Sequence, residues 1–460
     1  MNRELLWADH VLTMDADNRV INDGAVLVEG SRIAAVGPAR NLLQQYPQVK
    51  VRRLTDRLLM PGLVNTHCHS GMLRGTAEGL PVWDWLQQFI DPMHRVLTPQ
   101  EARLSSWLCY AEALLSGTTT VVDMWRYMDG SAEAASELGI RAVLVPYVAE
   151  HPDHDYFETL ASNEALIRKW HQAANGRISV WVGLEHLFYA VPEAWKRIGE
   201  MCRTHDVGFH THSNESRFDV EETLRRHGIR PVQALEKFGL LDARKVLLAH
   251  CVWVDDEEIA LLARRNVGVA HNPVSNMKLA SGAAPIEKML AAGVSVGLGT
   301  DGEKENNNLD MFEEMKVSSL LAKFAGLDAA ALDAWSVCRM ATIGGARALG
   351  LDQQIGSLEV GKAADLIAVR VDTPRMTPLL ASGPLANMHH NLVHAAQGGD
   401  VDLTMVSGRV LVENGQLRTA DLDFLITEVN QAVPQLFARR QAWLDQAGVA
   451  INELTRTADA

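Results

Sequence analysis

Long apolar runs and clusters of basic residues are both missing from this chain of 460 residues. No uninterrupted apolar stretch reaches the roughly 18 residues that a membrane-spanning helix needs. The formal net charge is −14 and no Lys/Arg run is present, which excludes the basic surface needed to bind nucleic acid or an anionic membrane. Only a short apolar run follows Met1-Asn2-Arg3, so we expect no secretory signal and a cytoplasmic location.

Cysteine is scarce as well, and its distribution excludes a thiolate metal site. The five cysteines are scattered, and no Cys-x-x-Cys pair occurs among them. They are Cys68, Cys109, Cys202, Cys251 and Cys338. This pattern is typical of a reducing compartment and argues against a zinc-thiolate cluster.

Both ends of the chain have the pattern of short β-strands. Residues 25–29 and 32–36 flank a turn at Gly30-Ser31, and similar alternation returns at 361–371 and 401–413. Two β segments at opposite ends of a chain most economically form one small domain with the large domain inserted between them. We therefore predict a small β-sandwich domain formed from both chain ends.

The central part of the chain alternates short apolar strands with amphipathic helices. The eight predicted strands are 59–65, 118–123, 141–148, 178–185, 207–212, 245–250, 267–271 and 294–301. This order favours an α/β fold, a (β/α)₈ TIM barrel, over an open doubly wound sheet, since no Gly-x-Gly-x-x-Gly turn follows the first strand. The predicted divisions are 1–57 and 353–420 for the β-sandwich, 58–352 for the barrel and 421–460 for a C-terminal helix.

Polar residues recur where the predicted barrel strands end, which is where barrel enzymes place their active sites. His67 and His69 end the first strand, and period-two alternation puts both on one face. The other strand ends with such residues are Glu185-His186, His210-Thr211-His212, His250, His271 and Asp301. Only 17 residues of the chain are histidine, so this recurrence at five of eight strand ends indicates a functional site.

Three imidazoles and one carboxylate, with one position left open for water, form a catalytic metal site. We predict His67, His69, His212 and Asp301 as ligands of one divalent metal ion per chain, with zinc preferred and iron as the alternative. His210 shares the His-x-His pattern and competes with His212 for this role. The short spacing from His212 to Glu215 favours His212.

The remaining polar residues suggest proton transfer. Glu215 follows His212 by three positions, close enough to move a proton from a metal-activated water to the substrate. His250 can stabilise the oxygen that gains negative charge as water adds. Asp301 can also accept a proton from that water.

With these residues in place, the chain resembles the mononuclear-metal branch of the amidohydrolase superfamily, which contains deaminases and chlorohydrolases of nitrogen heterocycles. The motifs that carry the resemblance are MPGLVNTHCHS at 60–70, HTHSNE at 210–215, LLAHCVWVD at 247–255, LGTDGEKENNNLDMFEEM at 298–315 and IGSLEVGKAADLIAV at 355–369. The resemblance implies the same four ligands and the same catalytic Glu215 and His250. It also implies a homodimer or a larger homo-oligomer.

The predicted activity is hydrolytic deamination of an amino-substituted ring of the purine, pterin, pyrimidine or triazine type. Alternatives are release of halide or amine from an s-triazine, and deamination of adenosine, methylthioadenosine or S-adenosylhomocysteine. His94 stands where the nucleoside deaminases have a ribose-binding glutamate, which weakens the nucleoside interpretation, whereas the Ser275-Asn276 pair resembles those enzymes. A non-catalytic scaffold is a third alternative, against which the complete ligand set argues.

The substrate pocket should be formed by the long segment after the first strand and by the end of the fourth. Aromatic side chains there can stack on a flat ring, and the polar ones can hydrogen-bond an amidine. The candidate substrate-binding residues are Trp83, Trp85, His94, Glu185, His186 and Asn276.

Overall fold

The computed structural model describes residues 3–75, 79–80 and 82–448. In this part of the chain the strands, numbered in chain order, are β1 Arg3–Leu12, β2 Val20–Glu29, β3 Arg32–Pro38, β4 Lys50–Pro61, β5 Leu63–Cys68, β6 Thr118–Trp125, β7 Arg141–Pro146, β8 Ile178–Val180, β9 Val182–Gly183, β10 Phe209–Ser213, β11 Val246–His250, β12 Gly268–His271, β13 Ser295–Leu298, β14 Leu366–Arg370, β15 Val401–Val406, β16 Arg409–Glu413 and β17 Gln416–Leu417.

The α-helices of the same residues surround the central strands or cover the sheet ends. They are α1 Ala39–Gln45, α2 Val82–Trp85, α3 Asp91–Val96, α4 Pro99–Leu115, α5 Asp129–Leu138, α6 Leu160–Trp170, α7 Ala173–Gly176, α8 Pro192–His205, α9 Arg217–His227, α10 Pro231–Lys237, α11 Asp256–Arg264, α12 Pro273–Lys278, α13 Ile286–Ala291, α14 Glu303–Asn306, α15 Met311–Gly326, α16 Ala334–Arg339, α17 Gly345–Ala348, α18 Met388–His394 and α19 Leu422–Ala447. None of these helices is long and apolar enough to cross a membrane.

Strands from both chain ends form one eight-stranded sheet, in the order β17-β16-β15-β14-β4-β1-β2-β3. The N-terminal and C-terminal parts meet where β4 pairs antiparallel with β14. The prediction that the two ends form one β unit is therefore confirmed. The predicted turn at Gly30-Ser31 also occurs, since β2 pairs antiparallel with β3 across it.

The central strands form two parallel sheets, β5-β6-β7-β8 and β9-β10-β11-β12-β13. They join at both edges. Trp181, between β8 and β9, donates its N–H to the Leu144 carbonyl at 3.0 Å, and Val182 donates to Gly208 at 2.9 Å. On the other side Thr66 Oγ1 donates to the Leu298 carbonyl at 2.8 Å. The eight-stranded barrel is confirmed, with its fourth strand split in two at Trp181.

The first barrel strand was predicted to begin too early. Leu58 to Pro61 belong to β4 and pair with β14, whereas the barrel strand β5 begins at Leu63. Gly62 separates the two strands where the chain runs against Thr119, and a Cβ there would lie 2.2 Å from the Thr119 side chain. Both strands are buried here, so hydrophobicity alone cannot separate them.

Polar contacts attach the small sheet and the last helix to the barrel. Arg141, at the start of β7, ion-pairs with Asp365 just before β14 at 2.9 Å. Arg439 of α19 bonds to the carboxylate of Glu101 in α4 at 2.6 Å. The predicted C-terminal helix is present as α19 and continues through Pro434, while residues 449–460 of that prediction lie outside the described residues.

Candidate active site

Four predicted metal ligands meet at the C-terminal ends of the barrel strands. His67 Nε2 and His69 Nε2 lie 3.5 and 3.3 Å from Oδ1 of Asp301. His212 Nε2 lies 3.2 Å from His69 Nε2. All four side chains are buried, and His67, His69 and His212 together form one of the groups in this structure that could hold a metal ion.

Backbone geometry at the strand ends places some of these side chains. Asp301 follows β13 with φ of 60°, and its N–H donates to the His67 carbonyl at 3.0 Å. His250, at the end of β11, has φ of 72°. Left-handed backbone is uncommon for residues other than glycine and is found at functional sites. These turns aim Asp301 and His250 into the barrel mouth.

Hydrogen bonds donated by Nδ1 orient the rings of His69 and His212. The Nδ1–H of His69 donates to the Met124 carbonyl at 2.6 Å, and that of His212 donates to the Glu185 carbonyl at 2.8 Å. Because a neutral imidazole carries one proton, Nε2 of each ring keeps its lone pair for a ligand. Such outer hydrogen bonds are typical of metal-binding histidines.

His67 is oriented in a similar way, but its Nδ1–H donates to the ring of His210 and not to a backbone carbonyl. The Nδ1–H of His210 donates to the Leu247 carbonyl at 2.9 Å, which leaves its Nε2 as an acceptor 2.9 Å from Nδ1 of His67. His67 must then carry its proton on Nδ1 and present the Nε2 lone pair to the cluster. The competition foreseen between His210 and His212 is resolved geometrically, since His210 lies behind His67 and outside the cluster.

The electrostatics of the cluster suit a cation. Burial lowers the pKa of His67 and His69 well below the usual value, and lowers that of His212 to about 4. Burial alone would raise the pKa of Asp301, but the adjacent His67 ring and the charge of His250 hold it well below its usual range. Neutral imidazoles beside an ionised carboxylate are the protonation states that a divalent ion requires.

One buried atom supports this assignment of the cluster to a metal. Nε2 of His67 is completely buried and has no hydrogen-bond partner in the described structure. An unpaired buried polar atom is costly unless a ligand satisfies it. Three imidazole nitrogens and one carboxylate oxygen match the donor set of a catalytic zinc or iron site.

Glu215 lines the same cavity as His69, His212 and Asp301. Its Oε2 is 3.8 Å from Nε2 of His250, and its backbone N–H donates to the carboxylate of Asp219 at 2.8 Å. Burial raises the pKa of the Glu215 carboxyl to about 7. A carboxyl group with this pKa can both accept and donate a proton near neutral pH.

His250 connects Glu215 to the ligand cluster. Its Nε2 lies 3.8 Å from Asp301 Oδ2, the same distance as from Glu215. Its Nδ1–H donates to Oδ1 of Asn276 at 2.9 Å. The structure thus places Asn276, predicted to bind substrate, behind His250 instead of in the cavity lining.

Three of the six predicted substrate-binding residues line the cavity: Trp85, Glu185 and His186. Nδ1 of His186 lies 2.6 Å from Glu185 Oε2, and its Nε2 lies 3.7 Å from Asp219. Burial alone would lower the pKa of His186, but these two carboxylates raise it well above its usual value. The end of the fourth strand therefore places an imidazole, flanked by two carboxylates, in the cavity wall.

Trp83 and His94 are not among the described residues that line the cavity. Trp83 packs behind His186, with ring centroids 5.1 Å apart, and donates to Ser216 Oγ at 3.0 Å. His94 packs edge-on against Tyr147, with a centroid distance of 5.5 Å. Its ring also packs against Trp125, and of these three residues only Tyr147 lines the cavity.

Sequence reasoning missed two charged or polar residues of the cavity wall. Tyr147 follows the third strand, and its hydroxyl lies 3.3 Å from Glu185 Oε1. Glu305 belongs to α14 after the eighth strand and also lines the cavity. Glu303 and Asn306 of the same segment are buried as well. The signal in the sequence that could have pointed to Glu305 is the run of three charged residues, 303–305, directly after the eighth strand.

The chain is similar in sequence and in structure to known proteins. Residues 58–411 match the sequence model of the Amidohydrolase family, and residues 24–48 match a bacterial imidazolonepropionase-like composite domain. A 5-methylthioadenosine/S-adenosylhomocysteine deaminase of Desulforudis audaxviator is 41% identical over 419 residues, which cover 90% of this chain and 95% of that protein.

Two solved structures are similar over nearly their whole length. A zinc-bound adenosine deaminase from Xanthomonas campestris aligns with a TM-score of 0.88 and 32% identity, covering 95% of this chain and 98% of that one. The zinc-bound atrazine chlorohydrolase of Arthrobacter aurescens TC1 aligns with a TM-score of 0.84 and 28% identity, covering 93% and 99%.

Proposed function

The chain belongs to the amidohydrolase family, and from this premise we propose that it is a metal-dependent hydrolase that removes an amino group from a nitrogen heterocycle. One observation carries the proposal: His67, His69, His212 and Asp301 converge beside Glu215 in one cavity. Their separation in sequence exceeds two hundred positions, so only the barrel brings them together.

We assign one divalent ion to His67, His69, His212 and Asp301, with zinc preferred because the zinc-bound structures resemble this chain. When bound, such an ion lowers the pKa of a coordinated water towards 7 and so makes it a nucleophile at neutral pH. The chain's own contribution is to hold the imidazoles neutral and correctly oriented.

Glu215 moves the proton that the addition of water releases. As the water oxygen bonds to the ring carbon, Glu215 accepts a proton from it and passes that proton to the adjacent ring nitrogen. The second water proton goes to the leaving amine, the carbon–nitrogen bond breaks, and ammonia departs. The product is the corresponding oxo heterocycle, so atoms and charge balance without any further reactant.

His250 and Asp301 assist this transfer. His250 is held by Asn276 so that its Nε2 faces both carboxylates at 3.8 Å. From there it stabilises negative charge on the attacking oxygen. Ser275 Oγ donates to Asp301 Oδ2 at 2.6 Å, which fixes the carboxylate that can carry the second proton to the amine.

The substrate we propose first is a 6-aminopurine nucleoside, because the relative at 41% identity is a deaminase of 5-methylthioadenosine and S-adenosylhomocysteine. The s-triazines are the second candidate. They are supported by the likeness to atrazine chlorohydrolase. They are also supported by His94, which stands where the nucleoside deaminases have a ribose-binding glutamate.

Ammonia release from the metal-loaded protein tests the proposal. The panel contains adenosine, methylthioadenosine, S-adenosylhomocysteine, guanine, melamine and atrazine, with chloride measured for the last. We expect release from at least one aminated ring and its loss after metal removal. A protein that retains less than one metal ion per chain after reloading, and releases no ammonia from any ring, would instead be a non-catalytic scaffold.

Two finer predictions remain part of this proposal. We expect a homodimer or larger homo-oligomer, to be measured by light scattering of the purified protein. We also keep the cytoplasmic location as a prediction, to be tested by fractionation of cells that express the protein.

A further inference from the structure

Three consecutive charged residues after the eighth strand are buried beside the candidate active site. Glu303, Lys304 and Glu305 form most of α14, and all three are at most 5% exposed. Lys304 Nζ lies 3.0 Å from Oε1 of Glu305 and 3.2 Å from Oε2. The proposed reaction uses none of the three.

Stability does not explain this ion pair. Removing two charges from water costs several kcal/mol per ion, and apolar residues of similar size are often as stabilising or more so. A buried pair at a cavity wall is therefore better explained by a role in recognition. The Lys304 ammonium also lies 5.5 Å from the Trp125 ring centroid, so it contacts an aromatic ring as well as the Glu305 carboxylate.

Glu305 faces the reacting centre, whereas Glu303 does not. Glu305 lines the cavity, and one of its oxygens lies within 4.8 Å of ligand atoms of His69 and Asp301. Glu303 points to another strand end, where its Oε1 accepts the N–H of Leu73 at 2.9 Å. A carboxyl group has an acceptor oxygen in either protonation state, so Glu305 can accept a hydrogen bond from a molecule in the cavity.

The two carboxyl groups of the cavity approach the cluster through different ligands. Glu215 lies next to His250, and Glu305 lies next to His69. An amidine carbon carries two nitrogens, the ring nitrogen and the exocyclic amino group. If Glu215 serves the ring nitrogen, the amino group is the substituent left to face Glu305.

From this arrangement, and resting on the proposed function, we infer that Glu305, held by Lys304, accepts a hydrogen bond from the leaving amino group and selects aminated rings over chlorinated ones. A chlorine substituent has no N–H to donate and presents lone pairs to the carboxyl oxygen. Groups that are built to receive a hydrogen bond discriminate strongly against a substrate that cannot donate one.

The test compares substrates that differ only in the leaving group, such as adenosine and 6-chloropurine riboside, or amino and chloro derivatives of one triazine. The measured quantity is the ratio of kcat/KM for ammonia release to kcat/KM for chloride release. Two double variants remove the ion pair together, so that no unpaired ammonium is left buried. Lys304→Met with Glu305→Met removes the acceptor oxygen, whereas Lys304→Met with Glu305→Gln keeps it.

We expect the Lys304→Met/Glu305→Met variant to lower the ratio of kcat/KM for ammonia release to that for chloride release about 10- to 100-fold. This is the effect of leaving one buried hydrogen-bonding group unpaired. In the Lys304→Met/Glu305→Gln variant this ratio should stay within about threefold of the wild-type value. Glu303→Gln is the matched control, since it keeps the acceptor oxygen for Leu73 and should not change the ratio. Metal content and the unfolding temperature report whether each variant has folded.

Three results would overturn the inference. They are an unchanged ratio in the Lys304→Met/Glu305→Met variant, an equal loss in the Lys304→Met/Glu305→Gln variant, or a wild-type protein that acts faster on the chlorinated substrate than on the aminated one. The last needs no variant and therefore decides the matter even if the variants misfold. A wild type that releases neither ammonia nor chloride from any ring contradicts the proposed function itself, which separates that failure from the failure of Glu305 as a selecting group.

Discussion

Replacing His210 with phenylalanine should weaken metal binding although His210 does not touch the proposed ion. The imidazole links the Leu247 carbonyl to Nδ1 of His67 through two hydrogen bonds of 2.9 Å each. Phenylalanine fills similar space but removes both bonds. Nδ1 of His67 then has no partner that fixes its proton, so the Nε2 lone pair is no longer guaranteed to face the cluster.

The expected loss can be estimated from these contacts. Changes to the outer partner of a metal-binding histidine cost about 10- to 100-fold in affinity, which corresponds to about 1.4 to 2.7 kcal/mol. His210→Gln keeps a side-chain oxygen that can accept from His67, so it should lose less than His210→Phe. Leaving the Leu247 carbonyl without His210 should also lower the free energy of unfolding by about 1 to 3 kcal/mol.

Competition with a chelator of known affinity measures the dissociation constant of the metal directly. His94→Phe is the control, because that imidazole is equally buried but contacts Trp125 and Tyr147 and none of the four ligands. If His210→Phe bound zinc as tightly as the wild type, or if His94→Phe weakened binding as much, the proposed orientation of His67 through His210 would be refuted.

Three further changes follow from individual contacts. Glu215→Gln should lower kcat at least about 100-fold while leaving metal content unchanged, because proton transfer by a positioned group contributes that much; near-wild-type turnover would reject its role. Asp365→Ala should lower the free energy of unfolding in urea by about 3 to 5 kcal/mol, since it leaves Arg141 buried without its partner, whereas removing the exposed Asp206 carboxylate should cost less than about 1 kcal/mol. Burial lowers the pKa of His271 to about 3, so between about pH 6.5 and pH 3 the unfolded chain binds a proton that the folded chain does not. Stability should therefore fall with falling pH by about 1.4 kcal/mol per unit for this residue, and His271→Asn should show a shallower slope in unfolding experiments at each pH.

Local patterns were enough to predict much of this molecule. Alternation along a strand put His67 and His69 on one face, and the rule that barrel active sites lie at strand C-termini pointed to His212 and Asp301. These rules work because they depend on backbone period and on chain direction, which neighbouring residues determine. The same reasoning failed at β4 and β5, where one buried run of residues serves two sheets.

Burial of individual polar side chains could not be predicted in this way. His94 looked like a pocket residue, but it is buried against Trp125 and Tyr147. Consecutive charged residues are usually exposed, but the three at 303–305 are all buried. Whether a side chain meets solvent depends on what lies over it, and the covering residues are far away in sequence.

The sequence by itself therefore determined the barrel, the small sheet from both chain ends and the set of metal-binding residue types, because each follows from short-range periodicity and residue chemistry. Only the tertiary structure decided which histidine orients His67, which carboxyl groups face the reacting centre and which candidates lie behind the cavity wall. These choices depend on contacts such as that between His67 and His210, 143 positions apart, and such contacts exist only after the barrel has closed.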